Sequence, residues 1–229
     1  MSGVLVLALD TSGDIAVSLV ESAAGGPPAV LAAHRSSEQR RHAELLAPMI
    51  TEVLGAARAR PTDLTAVVVG TGPAPFTGLR AGLVTARVLA FALGIEVHGV
   101  CSLDALAAQA FAAGLDGEVL VVTDARRREV YAARYARAPG GDVELLAGPE
   151  VQLPAVASAT IGGATPVGSG TALYPDLLGA PREPLAVDPA VLASLALARA
   201  ARGIALPTEP LYLRRPDVTP AASVKRVTG

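Results

Sequence analysis

The chain has 229 residues, 51% of them hydrophobic and 17% charged, so it can bury a substantial core. Its net charge of −2 at pH 7 argues against a protein that grips nucleic acid by its own charge, since such proteins are normally basic. Cys101 is the only cysteine, which excludes an internal disulfide and fits a reducing compartment, and we expect a cytoplasmic protein without a membrane span.

Hydrophobic periodicity predicts that residues 1–113 form a first unit with the element order β-β-β-α-β-α-β-α. Apolar runs indicate its five strands: 4–9, 15–20, 30–33, 66–69 and 96–100. Apolar stripes at helical spacing indicate its three helices: 37–54, 77–93 and 102–113. Hydroxyl side chains are expected to cap these helices: Ser36 or Ser37, Thr77 and Ser102. Pro48 is expected to kink the first helix or to mark a late start.

Residues 114–206 are predicted to form a second, smaller unit that repeats the opening of the first in topology. Three strands and one helix are predicted here: 118–123, 129–137, 143–146 and 189–202. The first of these strands ends at Asp124, as the first strand of the chain ends at Asp10. Residues 148–188 are rich in glycine and proline and show no clear period, and 207–229 form a C-terminal tail. The pattern therefore predicts an α/β fold of two related halves, the second reduced.

The glycine- and proline-rich stretch at residues 68–80 joins a buried strand to the second helix, which is a common setting for a phosphate-binding loop. A Walker A loop requires Gly-Lys-Ser/Thr at its end, whereas Leu79 and Arg80 follow Gly78. The dinucleotide fingerprint requires a glycine where Pro75 stands. The stretch is therefore not predicted to be a standard phosphate loop.

The turn after the first strand carries Asp10, Thr11 and Ser12, whose carboxylate, hydroxyls and backbone N–H groups could bind a phosphate or a metal-bound water. Asp124 ends the equivalent strand of the second unit. Two carboxylates facing a cleft between two similar halves would suit a nucleotide. The alternative is that each aspartate hydrogen-bonds its own turn.

Other polar residues give weaker signals. The histidines, His34, His42 and His98, lack metal-ligand spacing, so no metal site is predicted; His42 is expected on a solvated helix face and His98 in a structural role. Ser169 lacks the spacing of a nucleophile elbow and is expected in a flexible turn. The three arginines at 126–128 are either an anion patch or a solvated turn.

The helix at residues 77–93 is apolar around most of its circumference, and only Arg80 and Arg87 mark a polar stripe. Two apolar faces are predicted, the first made by Leu79, Leu83, Ala86, Ala90 and Leu93 and the second by Ala81, Val84, Val88 and Phe91. Such a helix must be covered on two sides, by the sheet and by either the first helix or another subunit. Gly78 and Gly82 permit close backbone approach.

Five motifs, in matching order from residue 5 to about 215, resemble the bacterial tRNA threonylcarbamoyladenosine biosynthesis protein TsaB family. They are LALDTS at 7–12, GPAPFTGLRAG at 72–82, GVCSLDAL at 99–106, DAR with EVY at 124–131, and PLYLR at 210–214. The stretch FTGLR at 76–80 is highly specific to this family. Ala74 departs from the family, which usually has glycine there.

The resemblance implies two actin-like, ribonuclease H-like halves and a non-catalytic subunit. Its implied partners are the catalytic paralogue TsaD, which modifies the adenosine beside the tRNA anticodon, and the ATPase TsaE. It implies a homodimer when the chain is alone and tRNA contact only through the complex. This chain would need no cofactor of its own, although ATP or ADP could bind in the complex.

The resemblance also implies a dimer surface on the two helices at 37–54 and 77–93. The residues that it assigns to this surface are Leu45, Leu46, Met49, Ile50, Val53, Phe76, Arg80, Leu83, Val84, Arg87 and Val88. A competing interpretation is a stand-alone ATP-dependent kinase or ATPase that uses Asp10 and Asp124. A peptidase is set aside, because no nucleophile with its base is found.

Overall fold

The computed structural model describes residues 3–23, 28–38 and 41–214, which form two mixed sheets with helices between and around them. The strands of the first sheet are β1 (Val4–Asp10), β2 (Ile15–Ser22), β3 (Ala29–Ser36), β4 (Ala66–Gly70) and β5 (Glu96–Val100). Their order is β3-β2-β1-β4-β5, with β1 to β3 antiparallel and β1, β4 and β5 parallel. The helices of this part are α1 (His42–Ala56), α2 (Phe76–Leu93) and α3 (Ser102–Ala112). The predicted element order of the first half is confirmed.

The second sheet repeats the first without its fifth strand. Its strands are β6 (Glu118–Asp124), β7 (Val130–Arg137), β8 (Val143–Gln152) and β9 (Thr165–Val167). The order β8-β7-β6-β9 matches β3-β2-β1-β4, again with three antiparallel strands and one parallel neighbour. The remaining helices are α4 (Pro154–Ala159), α5 (Ser169–Leu173), α6 (Pro175–Leu178) and α7 (Pro189–Ala201). Two related halves, the second reduced, are confirmed.

The central strands read as continuous apolar runs because both faces of the first sheet are covered. Leu7 and Leu9 of β1 face the core beneath α1 and α2, whereas Val6 and Ala8 face α3 and α7. The core that contains Val6 and Ala8 also contains residues of β6 and β7. Helices α3 and α7 therefore lie between the two sheets. Helix α7, which the predicted division at 113/114 assigns to the second unit, packs against β1, β2, β4 and β5.

The predicted C-terminal tail begins as an extended segment along the edge of the first sheet. We call residues 206–214 the C-terminal strap. The N–H of Gly99 donates to the carbonyl of Leu206 at 2.9 Å, and the N–H of Leu211 donates to the carbonyl of Thr71 at 2.9 Å. Arg214 at its end forms an ion pair with Glu129, in the turn before β7. The rest of the predicted tail, residues 215–229, lies outside the described part of the chain.

The three predicted serine and threonine caps are wrong. Ser36 ends β3, and α1 begins only at His42 and runs through Pro48 as one helix. Thr77 lies inside the first turn of α2, where no side chain caps the helix. Ser102 is the first residue of α3, and its hydroxyl is taken by a distant aspartate described below.

Residues 148–188 contain the end of β8, three short helices and β9, which the sequence pattern missed because elements of three to six residues show no period. Within the described ranges, no helix combines the length and hydropathy needed to cross a bilayer.

Candidate functional site

A cleft of about 570 Å³ separates the two halves, and the equivalent turns of both line it. Asp10, Thr11 and Ser12 come from the first half and Asp124 from the second. The ends of β1 and β6 place them there, because the two sheets repeat the same arrangement. The structure therefore brings together all four residues that the sequence singled out for a nucleotide.

Asp10 is buried, and both of its carboxylate oxygens are engaged within the chain. Oδ1 accepts from the N–H of Ser12 at 2.9 Å and from its hydroxyl at 2.6 Å, and Oδ2 accepts from the hydroxyl of Ser102 at 2.6 Å. Burial raises the pKa of Asp10, and the hydrogen bonds from Ser102 and Ser12 oppose that rise. These contacts match the alternative in which the aspartate stabilises its own turn, and they leave the carboxylate poorly suited to a metal ion.

Asp124 is engaged in the same way by its own turn. Its Oδ1 accepts from the N–H of Arg126 at 2.7 Å, and its Oδ2 pairs with the guanidinium of Arg126 at 3.0 Å. The N–H of Asp124 donates to the hydroxyl of Ser169 at 3.3 Å, so Ser169 supports this turn at the start of α5. Arg126 to Arg128 all have positive φ angles of 54° to 62° and are exposed. The arginines therefore form a tight, exposed turn, and Arg126 also lines the cleft, so anion binding there stays a prediction.

His42 is not on a solvated helix face as predicted. It lies at the start of α1, lines the cleft, and packs against Gly78 of α2. A Cβ at Gly78 would lie 3.0 Å from the His42 ring, and one at Gly82 would lie 2.3 Å from Oγ1 of Thr11. The two glycines thus permit the close approach that the sequence predicted. Neither Thr11 Oγ1 nor His42 Nε2 finds a hydrogen-bond partner within the described residues.

Metal and thiol chemistry find little support in the part of the chain that the structure describes. No group of three or more histidine, cysteine, aspartate or glutamate side chains is placed there to hold a metal ion. Burial, with a contribution from Asp104, raises the pKa of Cys101 to about 12, so the thiol stays protonated at neutral pH. A protonated thiol is a poor nucleophile.

The predicted partner surface divides into buried and exposed residues. Five of its members lie in the core beneath α1 and α2 and are at most 8% exposed: Leu46, Met49, Ile50, Val53 and Leu83. These side chains already pack inside the chain. They are therefore core residues, and their predicted role as partner contacts is wrong. Leu45 is half-buried against the same core. The side chain of Phe76 is not among those that the structure describes.

The exposed members form a stripe on α2. Val84 and Val88 are 59% and 60% exposed, and Phe91 is 90% exposed. We call these three residues the α2 stripe. Phe91 was assigned to the second apolar face of the helix but not to the partner surface. Phe91 follows Val88 by three residues and so lies on the same face of the helix, which was the signal that would have added it to the predicted partner surface.

Arg80 and Arg87, predicted to contact a partner, are held by the C-terminal strap. Nε of Arg80 donates to the hydroxyl of Tyr212 at 2.9 Å, and its guanidinium lies 5.7 Å from the centre of that ring. Nε of Arg87 donates to the hydroxyl of Thr208 at 2.8 Å, and Nη2 donates to the Thr208 carbonyl at 2.6 Å. The sequence reasoning missed Thr208, Tyr212 and Ser102 as partners of site residues.

The chain is similar to known proteins in both sequence and fold. The family model described as "TsaD: tRNA N6-adenosine threonylcarbamoyltransferase" matches residues 30–163. An uncharacterized protein of Mycobacterium tuberculosis (strain H37Rv) is 45% identical over 195 residues, which are 84% of each chain. An uncharacterized protein of Mycobacterium leprae is 40% identical over 94% of this chain but only 56% of its own length, so this chain spans little more than half of that relative.

Two further similarities carry descriptive names. The tRNA threonylcarbamoyladenosine biosynthesis protein TsaB of Escherichia coli is 32% identical over 150 residues, 63% of this chain and 64% of that protein. The solved structure of YeaZ from Pseudomonas aeruginosa is 28% identical with a TM-score of 0.75 and covers 93% of this chain and 100% of that one.

Proposed function

The chain belongs to the TsaD family of tRNA N6-adenosine threonylcarbamoyltransferase domains and is TsaB-like, and on that premise we propose that it binds and activates a TsaD-like catalytic paralogue. Two of its relatives are named tRNA threonylcarbamoyladenosine biosynthesis protein TsaB, which supports this proposal. In our proposal the paralogue performs the transfer to the adenosine beside the anticodon, and this chain is a non-catalytic subunit.

The observation that carries this proposal is the α2 stripe. Three large apolar side chains, Val84, Val88 and Phe91, face solvent on one side of a helix whose other side is fully packed. A contiguous exposed apolar surface on a stable domain is typical of a protein–protein interface. The paralogue is the occupant that we propose for this surface, and a second copy of the chain would take its place when the paralogue is absent.

The cleft supports an accessory role for this chain. Asp10 and Asp124 are both committed to their own turns, and Ser102 holds Asp10 from the opposite side. The stand-alone kinase or ATPase that was the alternative needs a carboxylate available to a nucleotide-bound metal ion, so these contacts do not favour it. We propose that ATP turnover belongs to a TsaE-like ATPase, and that tRNA is held by the assembled complex.

The proposed interface is tested with two variants, Val88→Asp on the α2 stripe and Leu146→Asp as a control. Leu146 is also exposed, at 42%, but lies on the edge strand of the other sheet. Calorimetric titration of each variant with the purified TsaD-like paralogue of the same organism measures the dissociation constant. We expect Val88→Asp to weaken binding by about tenfold or more, because a charge would be buried against an apolar partner.

The control decides between an interface and a general effect of charge. Leu146→Asp is expected to bind the paralogue like the parent chain. Equal binding by Val88→Asp and the parent chain would refute the proposed surface. Phosphate release from ATP by the purified chain, lost in Asp10→Asn, would instead support the stand-alone enzyme.

A further inference from the structure

Arg80 and Arg87, which the C-terminal strap holds, lie beside the α2 stripe on the surface of α2. Arg80 precedes Val84 by four residues, and Arg87 precedes Phe91 by four, so each arginine is the neighbour of a stripe residue along the helix surface. An arginine side chain is long and mostly apolar along its stem, and it readily lies over adjacent apolar surface while its head stays hydrated. Each of these two side chains is therefore long enough to lie over a neighbouring stripe residue when nothing anchors it.

The C-terminal strap holds both guanidinium groups on its own side chains and backbone. Arg80 donates to Tyr212 and rests near its ring, while Arg87 makes two hydrogen bonds to Thr208 and lies 3.9 Å from Glu209. Polar acceptors on the strap thereby bind guanidinium donors of both arginines. Binding that requires no rearrangement of long side chains loses less conformational entropy.

The strap is itself fixed to the first sheet, so it can act as an anchor. The backbone bonds from Gly99 to Leu206 and from Leu211 to Thr71 lie on either side of Thr208, and the second immediately precedes Tyr212. A Cβ at Gly99 would lie 2.1 Å from the carbonyl oxygen of Pro207, which shows how closely the strap lies on β5. The anchors are therefore set by the sheet edge and do not depend on the arginines alone.

We propose that the C-terminal strap positions Arg80 and Arg87 so that the α2 stripe stays uncovered for docking of the TsaD-like paralogue. This inference rests on the proposed function and gives Arg80 and Arg87, which were predicted to contact the partner, a role in keeping the stripe accessible. Arg80, Arg87, Thr208 and Tyr212 are positioning residues: they act through the accessibility of Val84, Val88 and Phe91.

The test removes the acceptors while keeping side-chain shape. The double variant Tyr212→Phe/Thr208→Val in the full chain loses both hydroxyls, and its dissociation constant for the purified paralogue is measured by calorimetry. We expect binding about threefold to tenfold weaker, because two side chains must be ordered on docking. Adding Arg80→Ala and Arg87→Ala to this variant is expected to restore the affinity of the parent chain, since no arginine remains to cover the stripe.

The rescue separates positioning from a merely structural role, which deletion of the arginines would not repair. Parent-like affinity of the double variant, or failure of the arginine deletions to restore binding, would overturn the role of the strap. The melting temperature is measured for every variant. If binding weakens together with the melting temperature and the arginine deletions do not restore it, the role of the strap is overturned. Parent-like binding by Val88→Asp would instead refute the proposed function, so the two failures are distinguishable.

Discussion

At the scale of single residues, the backbone of Gly70 lies very close to the buried carboxylate of Asp10. A Cβ at Gly70 would lie 1.9 Å from Oδ2 of Asp10 and 2.7 Å from the Ser102 hydroxyl. We predict that Gly70→Ala lowers the free energy of unfolding by about 1–3 kcal/mol, because the buried hydrogen bonds must shift. Urea denaturation measures the change.

Gly55 provides the matched control for that variant. It lies in the last turn of α1, and apart from its chain neighbours and the helix's own backbone no atom lies within 4 Å of the position of an added Cβ. Gly55→Ala should therefore raise the free energy of unfolding by about 0.5–1 kcal/mol through better helix formation. Equal effects of the two substitutions would show that the space around Gly70 is not limiting.

Asp142 gives a prediction for the pH dependence of stability. Burial alone would raise its pKa, but hydrogen bonds from Arg199, from the N–H of Val143 and from Arg202 outweigh burial and lower the pKa to about 2. A lowered pKa in the folded state means that the ionised form stabilises the fold above about pH 4, and that this contribution is lost as the pH falls toward 2. Asp142→Asn should cost about 1–2 kcal/mol at pH 7.

The measurement for Asp142 is urea denaturation of both proteins across that pH range. The difference between parent and variant should shrink as the pH approaches 2, because the aspartate is then protonated as well. A difference that is constant from pH 7 to pH 2 would contradict a charge-based contribution.

Residue-scale prediction from sequence succeeded where a residue's role is local. Asp10 and Asp124 could be placed at strand ends, because an apolar run followed by a polar turn marks that position. The hydroxyl of Ser102, which is 92 residues from Asp10 in the chain, could not be assigned to it. Nor could His42 be placed in the cleft, since its environment depends on how α1 and α2 pack.

At the scale of elements, α2 shows why composition alone could not separate core from interface. Leu83 and Val84 are adjacent and both apolar, yet Leu83 is 3% exposed and Val84 is 59% exposed. Both helix faces satisfy the same periodic pattern, and only the position of the sheet decides which face it covers. The predicted partner surface therefore mixed five core residues with the exposed stripe.

This division predicts opposite results for two alanine substitutions. Leu83→Ala should lower the free energy of unfolding by about 2–5 kcal/mol, because it leaves a cavity in the core. Val88→Ala should change it by less than about 0.5 kcal/mol. Thermal or urea denaturation of the isolated chain measures both, and a large loss of stability for Val88→Ala would show that Val88 packs within the chain.

At the scale of the whole molecule, the two-half architecture could be predicted because the strand–turn–strand opening recurs after residue 114. The layered arrangement could not be predicted, since α7 follows the second sheet in sequence but packs against the first. The strap was also missed: residues 206–214 contain no periodic pattern, and their contacts reach back more than 100 residues to Arg80 and Arg87.

Self-association of the isolated chain follows from the same exposed surface. Without the paralogue, the α2 stripe is expected to pair with a second copy, because its apolar side chains are otherwise left in water. Analytical ultracentrifugation should show a concentration-dependent dimer for the parent chain and a monomer for Val88→Asp. An unchanged dimer of Val88→Asp would place self-association on a different surface.

The most direct test is the threonylcarbamoyladenosine content of tRNA in cells depleted of this chain and complemented with Val88→Asp. We predict that depletion lowers the modification, that the parent chain and Leu146→Asp restore it, and that Val88→Asp does not. Full restoration by Val88→Asp at matched protein levels would contradict docking through the α2 stripe, and unchanged modification on depletion would contradict the role in tRNA modification itself.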